Sequence, residues 1–287
     1  MNLLPFLISG LGVGAAYALS GVGLVLLFRA TGVLNFAFGA IGAFGAHVAW
    51  AIERAGAPLA LAILGGVATS TLLSFLYGRL LAPKLAYRDM TVRAVGTLGM
   101  AMLLLGAIGY IWGEAPRRLV FPTDRMFLDL FDVRLTYTRI IALLLAFGAV
   151  ALMTLALVKT RLGLAMRSLA NDRDLSGLLG VKILSVETAA WLIAGVFAGF
   201  AGLLLANLVR LQGLLLTFLV IPAISAAILA RLTSLWIAAI GGLAIGVIEA
   251  SLSGFPSIAP YRTATPFVVA LIAVSVMGAS SAAAGER

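Results

Sequence analysis

Few side chains in this sequence could hold a charge or move a proton inside its apolar stretches, and those few bound the chemistry open to it. Glu249 follows Gly242-Leu243-Ala244-Ile245-Gly246 in a run with no other charge from Leu232 to Gly254. A carboxylate in hydrocarbon is disfavoured by at least ~2.5–3.5 kcal/mol on insertion scales, so Glu249 is expected to face protein or a wet cavity. Its role is then functional or that of a structural polar contact, with a partner from another span or a second subunit. Glu187, two residues past Ser185, is expected simply to complement a helix N-terminus. His47 is the one histidine, a turn or so before Glu53, and there is no cysteine. A metal site is therefore not expected, and His47 is left to packing or to the wall of a pathway. The sequence contains neither a G-x-x-x-x-G-K-[S/T] phosphate loop nor a serine–histidine–carboxylate set that a helix bundle would gather. The chain is not expected to be an enzyme or to bind a cofactor. If ATP drives it, another chain hydrolyses the ATP.

The elements around these residues are apolar. Of 287 residues 62% are hydrophobic and 11% charged, against about 45–50% and about 25% in soluble domains. A spanning helix needs ~20 mostly apolar residues. Runs of that kind recur at Leu3–Phe28, Val33–Ile52, Ala55–Tyr77, Ala94–Trp112, Ile140–Val158, Thr188–Val209, Leu211–Ala230, Leu232–Gly254 and Thr263–Ala284. The pattern predicts an all-α, polytopic transmembrane bundle of eight to nine spans forming one transmembrane domain over 1–287. Leu211–Ala230 is interrupted by Pro222 and is expected to be broken or re-entrant, which lipid tolerates only against protein or a wet cavity. The first run has no basic leader and no evident cleavage site, and it reads as a retained span.

The net charge of +9 comes from Lys and Arg in the polar breaks, where they anchor helix ends, so nucleic acid is not an expected partner. Odd-numbered linkers carry eleven of them against eight in the even ones, Arg139 being counted at the end of the even linker Gly113–Thr138. That difference places the odd linkers in the cytoplasm and the N-terminus outside. Residues 113–138 would then be an external loop, and its alternation from Phe127 to Leu135 predicts a short hairpin. The odd linker 159–185 reads as helix, with Leu162, Met166 and Leu169 on one face, Asn171 or Asp172 capping a second short turn, and Gly180 as a left-handed stop. Ser176 within it is expected to be reachable by a label from the cytoplasm. Gly10/Gly14, Gly109/Gly113, Gly195/Gly199 and Gly242/Gly246 are small-xxx-small pairs that allow helices close approach.

Three stretches carry a resemblance. Gly12-Val13-Gly14-Ala15-Ala16-Tyr17-Ala18-Leu19, Gly21-Val22-Gly23-Leu24 and Asn35-Phe36-Ala37-Phe38-Gly39 look like the "G…YAL…GL" and "NFAxG" opening of the branched-chain amino acid permeases of ABC importers. Arg161-Leu162-Gly163-Leu164-Ala165-Met166-Arg167-Ser168-Leu169-Ala170-Asn171-Asp172, ending Leu178-Leu179-Gly180-Val181, is similar to that family's cytoplasmic loop, "GRALRAVAxD…LLGI". The stretch from Ile228 to Glu249 resembles its late glycine-rich element. Two positions depart: Ala230-Arg231 stand where the family usually has Gly-Gly, and Phe38 where many members have His. Length matches the shorter, LivH-like member of the permease pair.

The resemblance implies alternating access in the bacterial inner membrane. Its expected partners are a second permease subunit (LivM-like) or a second copy, two ABC ATPase subunits and a periplasmic substrate-binding protein. It makes 159–182 the helix that couples to the ATPase, through Arg161, Gly163, Arg167, Asn171, Asp172 and Gly180. Asn35, Phe36, Phe38, Gly39 and Glu249 would line or support the substrate pathway, with Asn35, Phe36 and Gly39 in non-ideal backbone. The expected solute is a branched-chain amino acid or a related small polar solute. Urea or an amide, a carboxylate or a sugar is the alternative cargo, and a stand-alone carrier or channel the alternative class.

Overall fold

The computed structural model describes residues 4–130 and 133–285. All nine apolar runs are helical, with shifted ends. The first helices are α1 (Leu4–Thr31), α2 (Phe38–Arg54), α3 (Leu59–Leu76), α4 (Ala82–Leu85) and α5 (Met90–Trp112). Strands β1 (Phe127–Leu130) and β2 (Val133–Thr136) precede α6 (Tyr137–Lys159), α7 (Arg161–Asn171), α8 (Arg173–Leu178) and α9 (Ile183–Leu208). The chain ends in α10 (Gly213–Phe218), α11 (Val220–Leu229), α12 (Leu235–Leu252) and α13 (Thr265–Gly285). Among the described residues seven helices are long and apolar enough to cross a membrane, counting α3 and α4 as one. The helix α2, and α10 with α11, complete the nine runs; at 17 residues or about 26 Å each they fall just short of a full span.

Burial sorts the helices into two layers. The spanning segments of α1 and α9 are 83% and 72% buried, whereas those of α3, α5 and α6 are under a third buried and present Leu64, Leu103, Leu144 and Leu152 outward. That is the arrangement expected where lipid, as apolar as leucine, replaces water on the outer faces. Backbones meet closely on glycine. A Cβ on Gly10 would lie 2.7 Å from Val247 Cα, one on Gly14 2.7 Å from the Leu243 oxygen, and one on Gly242 2.5 Å from the Ala18 nitrogen, so α1 and α12 lock together. Gly195 and Gly199 bring α9 as close to Thr71 and Val67 of α3. The pair Gly109/Gly113 does not serve in this way: nothing lies within 4 Å of where their Cβ atoms would be.

Three local features differ from expectation. The third span does not stop at Tyr77; it widens into a π-helical turn over Tyr77–Leu81 and continues through α4. Pro83 has no N–H, so the Arg79 carbonyl loses its usual donor and the turn before the proline opens. The break in Leu211–Ala230 falls at Leu219, between α10 and α11, rather than at Pro222. Pro222 is the third residue of α11, in the first turn, where a missing N–H removes no helical bond. Between β1 and β2, which pair antiparallel from Phe127↔Thr136 to Leu130↔Val133, Phe131 and Asp132 of the expected hairpin lie outside the described residues, as does Leu3 of the first run.

Candidate functional site

The centre of the bundle is built from two interrupted helices. Helix α1 ends where Gly32, at φ +66°, turns left-handed and donates to the Phe28 carbonyl (2.7 Å). The chain then runs back into the bundle without helical structure, and α2 begins at Phe38, whose ring lies against Gly23 of α1, about 12 Å in from the helix end. Irregular backbone at that depth needs internal partners. Thr31 Oγ1 accepts from Val33 N (3.1 Å), Thr97 Oγ1 of α5 from Phe36 N (3.0 Å), and Asn35 Oδ1 from Ala37 N (2.9 Å). Asn35 is 1% exposed, and its amide nitrogen has no partner among the described residues. From the other side α10 enters and stops at Leu219. The two interruptions meet where Gly39 lies against α10: a Cβ there would collide with the Thr217 carbonyl oxygen and stand 3.1 Å from that of Leu216.

This junction walls a narrow cleft of about 10 Å³ lined by Ser20, Phe38, Gly39, Ala201, Gly202 and Leu219. It holds at most one water. Leu219 also lines a larger cavity, of about 290 Å³, toward the hairpin end of the bundle. Glu249 is on its wall, half-buried, and its Oε2 accepts a hydrogen bond from the Tyr17 hydroxyl of α1 (3.0 Å). The close approach of α12 to α1 at Gly246 brings the two together. Arg139 and Arg262 line the same cavity. Arg139, counted in a polar linker from sequence, is the third residue of α6 and lies half-buried across Gly12 of α1. The structure thus brings Phe38, Gly39 and Glu249 onto two voids that share Leu219, while Asn35 and Phe36 support the break behind them. Tyr17, Arg139 and Arg262 were not singled out from sequence, and only the rarity of charge next to apolar helices would have flagged the two arginines.

At the opposite end α7 and α8 form a bracket on α9. Thr160 Oγ1 caps α7 by accepting from Gly163 N (3.0 Å), and Asp172 Oδ1 caps α8 by accepting from Leu175 N (2.9 Å). Gly180, at φ +86°, ends the segment as expected. Gly163 is pressed against the backbone of Ala156 and Leu157, so α7 folds tightly under α6. Met166 and Leu169 are buried, whereas Leu162 is 38% exposed and opens on an apolar groove. Glu187 corrects the sequence reading. It lies in the second turn of α9, not at its start, and pairs with Arg173 of α8 at 2.9 Å. Ser176 is also other than expected: it is 1% exposed, bonded to Ser168 (2.6 Å) and to the Asp172 carbonyl (2.6 Å). Arg161, Arg167, Asn171 and Asp172 all belong to this bracket, with the Arg167 Nε buried and without a partner among the described residues.

Beside the bracket, Arg29, Arg93, Arg173 and Arg231, from four odd-numbered linkers, line a cavity of about 480 Å³. Arg231 and Leu232 there have φ +50° and +57°, the left-handed conformation that glycine adopts freely. His47 is a packing residue: it is 1% exposed, donates to the Ala43 carbonyl (2.8 Å) and lies 5.4 Å from the Trp112 ring. No group of three or more His, Cys, Asp or Glu among the described residues is placed to hold a metal ion.

The comparisons with known proteins agree with one another. The family described as "Branched-chain amino acid transport system / permease component" matches residues 6–277. The high-affinity branched-chain amino acid transport system permease protein LivH of Salmonella typhimurium is 25% identical, over 96% of this chain and 94% of that protein. BraD of Pseudomonas aeruginosa, described in the same words, is 26% identical over 87% and 86%. The probable LivH of Methanocaldococcus jannaschii is 27% identical over 82% and 76%. No solved structure gives a significant match. With a bundle of apolar helices and a match over nearly its whole length, the chain belongs to the branched-chain amino acid transport permease family.

Proposed function

We propose that this chain is the permease subunit of an ABC importer that carries a branched-chain amino acid, or a closely related small polar solute, across the bacterial inner membrane. It works with a second permease subunit, LivM-like or a second copy, two ATPase subunits that hydrolyse the ATP, and a periplasmic binding protein that delivers the solute. The N-terminus and residues 113–138 face outward, and 159–185 faces the cytoplasm. The observation that carries this reading is the bracket α7–α8. It is a short, capped helix pair at one end of the bundle, its first helix amphipathic, held to the buried helix α9 by the Arg173–Glu187 pair. A subunit that pushes on the bracket therefore pushes on the helix that walls the central cleft at Ala201 and Gly202. Reconstitution with the co-expressed ATPases and the binding protein tests the reading. Leucine, isoleucine or valine should accumulate in proteoliposomes only with ATP and all subunits. Preferential uptake of urea, an amide, a carboxylate or a sugar would replace the cargo, and uptake without the ATPases would refute the class.

A further inference from the structure

The arginine-lined cavity beside the bracket gathers more positive charge than its surroundings offset. None of its lining residues is acidic, and four of them are Arg29, Arg93, Arg173 and Arg231. A guanidinium stays charged in a protein, so the cluster cannot relieve its repulsion by losing protons. Two of the four are engaged. Arg173 pairs with Glu187, on which Arg93 also acts electrostatically. Arg93 donates one N–H to the Thr31 carbonyl (3.1 Å) and lies across Gly32, within a turn of Arg29, while its buried Nε has no partner among the described residues. Arg29, half-buried, and Arg231, exposed, make no side-chain hydrogen bond or ion pair with the described residues. Asp89, Asp172 and Asp174, on the adjoining turns, are exposed, and none pairs with an arginine of the cavity. The ends of α1, α7 and α11 reach the cavity as well, each worth about half a negative charge. Set against four guanidiniums, Glu187 and these three ends still leave an excess of about 1.5 positive charges. Arg231 is held there against its backbone preference. It closes the turn after α11 at φ +50°, with Leu232 N bonded back to the Ala227 carbonyl (2.9 Å), in the left-handed position that glycine fills by default. Strain kept at a residue whose side chain has no structural partner points to a use for that side chain.

We infer that this cavity binds a phosphate-bearing anion through Arg29 and Arg231, with Arg93 behind them, and that the phosphate is the headgroup of an anionic phospholipid. Guanidinium forks match phosphate oxygens, and the single charge of a phosphodiester suits the excess left over. The volume of about 480 Å³ lies within the range of small-ligand pockets. A helix of a partner subunit, ~10–12 Å wide with its side chains, is too bulky for it. The flank of the cavity selects lipid as the source. Ala86 and Arg93 bring it to the turn between α4 and α5, in the outer layer of the bundle, where Tyr87, Met90 and Val92 are exposed and can lie along acyl chains. Basic pockets between spanning helices at the membrane surface are where anionic headgroups settle. Arg173 and the end of α7 line the same cavity, so a headgroup held there also braces the bracket. The assignment is independent of the cargo.

The test is lipid retention by the full-length chain, alone and with its co-purifying ATPases, read by native mass spectrometry from micelles holding equal phosphatidylglycerol and phosphatidylcholine. Wild type should retain phosphatidylglycerol about tenfold better, the usual worth of a hydrogen bond to a charged group. Arg29→Gln should remove most of that preference, and Arg29→Lys should recover part of it. Arg231→Gly is the sharper variant: freed of the left-handed strain, it should melt no lower than wild type in phosphatidylcholine and yet lose the preference. Arg88→Gln, which removes an exposed charge from the linker of Arg93 but outside the cavity, should keep it. An equal fall in Arg88→Gln and Arg29→Gln would reduce the effect to surface charge and overturn the site, as would a wild type with no preference. Inorganic phosphate and glycerol 3-phosphate separate the sources. If either displaces phosphatidylglycerol, or raises the melting temperature in phosphatidylcholine as much as that lipid does, the ligand is a soluble phosphate and the lipid assignment fails. A preference seen only without the ATPases would give the cavity to an acidic side chain of that subunit and overturn it too.

Discussion

Replacing Gly39 with alanine tests whether the meeting of the two interrupted helices matters for transport. The new Cβ would overlap the Thr217 carbonyl oxygen and stand 3.1 Å from both the Leu216 oxygen and the Thr217 carbonyl carbon. These are backbone atoms, so no side-chain rotation relieves the contact, and α10 must retreat by about 1 Å to restore ordinary separation. Overpacking of that kind costs about 1–3 kcal/mol, a roughly five- to 150-fold loss in the population of the closed packing. The isolated helix, by contrast, gains ~1 kcal/mol from Gly→Ala, so insertion should not suffer. Gly106→Ala in α5 is the control, because nothing lies within 4 Å of its Cβ position. Radiolabelled leucine uptake, normalised to the amount of chain in the membrane fraction, should fall severalfold or more for Gly39→Ala. It should vanish for Gly39→Leu and stay at the wild-type rate for Gly106→Ala. Wild-type uptake and thermal stability in Gly39→Ala would refute the reasoning, as would an equal fall in Gly106→Ala.

Leu178 is 86% exposed at the end of α8, so in this cysteine-free chain Leu178→Cys should react with a membrane-impermeant maleimide only in inside-out vesicles. Reaction only in right-side-out vesicles would reverse the orientation and remove the coupling role. Glu187→Gln strands Arg173 and should lower stability by about 1–3 kcal/mol. That is less than the ~3–5 of a fully buried pair, because the Arg173 side chain stays 29% exposed. The double variant Arg173→Met/Glu187→Leu should melt closer to wild type than either single change and yet fail to link ATP hydrolysis to uptake. Full coupling in it would show that the pair is dispensable. Glu249→Gln should still co-purify with the ATPases while losing uptake, whereas Glu249→Leu, which also strands the Tyr17 hydroxyl, should lose assembly; wild-type assembly and uptake in Glu249→Leu would make the residue a bystander.

What could be read from sequence and what could not divides along physical lines. The nine apolar runs, the left-handed stop at Gly180 and the cap of α8 were legible because each depends on residues within a few positions of one another. The broken seventh run was legible as broken, but its break was placed at Pro222 when proline marks the start of the second half and the irregular residue is Leu219 before it. Partnerships were not legible. Tyr17 and Glu249 are 232 positions apart and meet only because Gly14 and Gly246 let two helices touch. Glu187 looked like a helix-start carboxylate because the start of α9, five residues ahead of the expected Thr188, carries no capping side chain to announce it. Ser176 looked exposed because α8 has six residues, too few for a periodicity to reveal which face is covered. Arg139 was counted with a linker because charge at the edge of an apolar run is ordinarily an anchor.

The same geometry constrains how such a bundle could alternate. Helix α1 touches the Glu249 cavity at Tyr17 and the arginine-lined cavity at Arg29, and every residue from Gly14 to Leu27 is buried. The two cavities are therefore separated by a buried section, at the start of which α1 is gripped by α12 through glycine backbones. Across the cleft α2 and α9 meet as closely, at Gly42 and Gly202, and α10 stops beside them. Helix α9 is suited to carry a displacement to the cleft. Its first turns hold Arg173 through Glu187, its next hold α3 through the Ser74 hydroxyl on the Trp191 carbonyl (2.5 Å), and its middle walls the cleft at Ala198, Ala201 and Gly202. On the reading proposed above, a displacement applied at α7 and α8 reaches the cleft along one rigid helix. There α9 and α2, locked at Gly42 and Gly202, move together against Leu219 at the break between α10 and α11. The arrangement needs no bending of a continuous span, because the only backbone that must yield, at 33–37 and at Leu219, is already non-helical or interrupted and already has its polar groups held by Thr31, Asn35 and Thr97 or left at a helix junction.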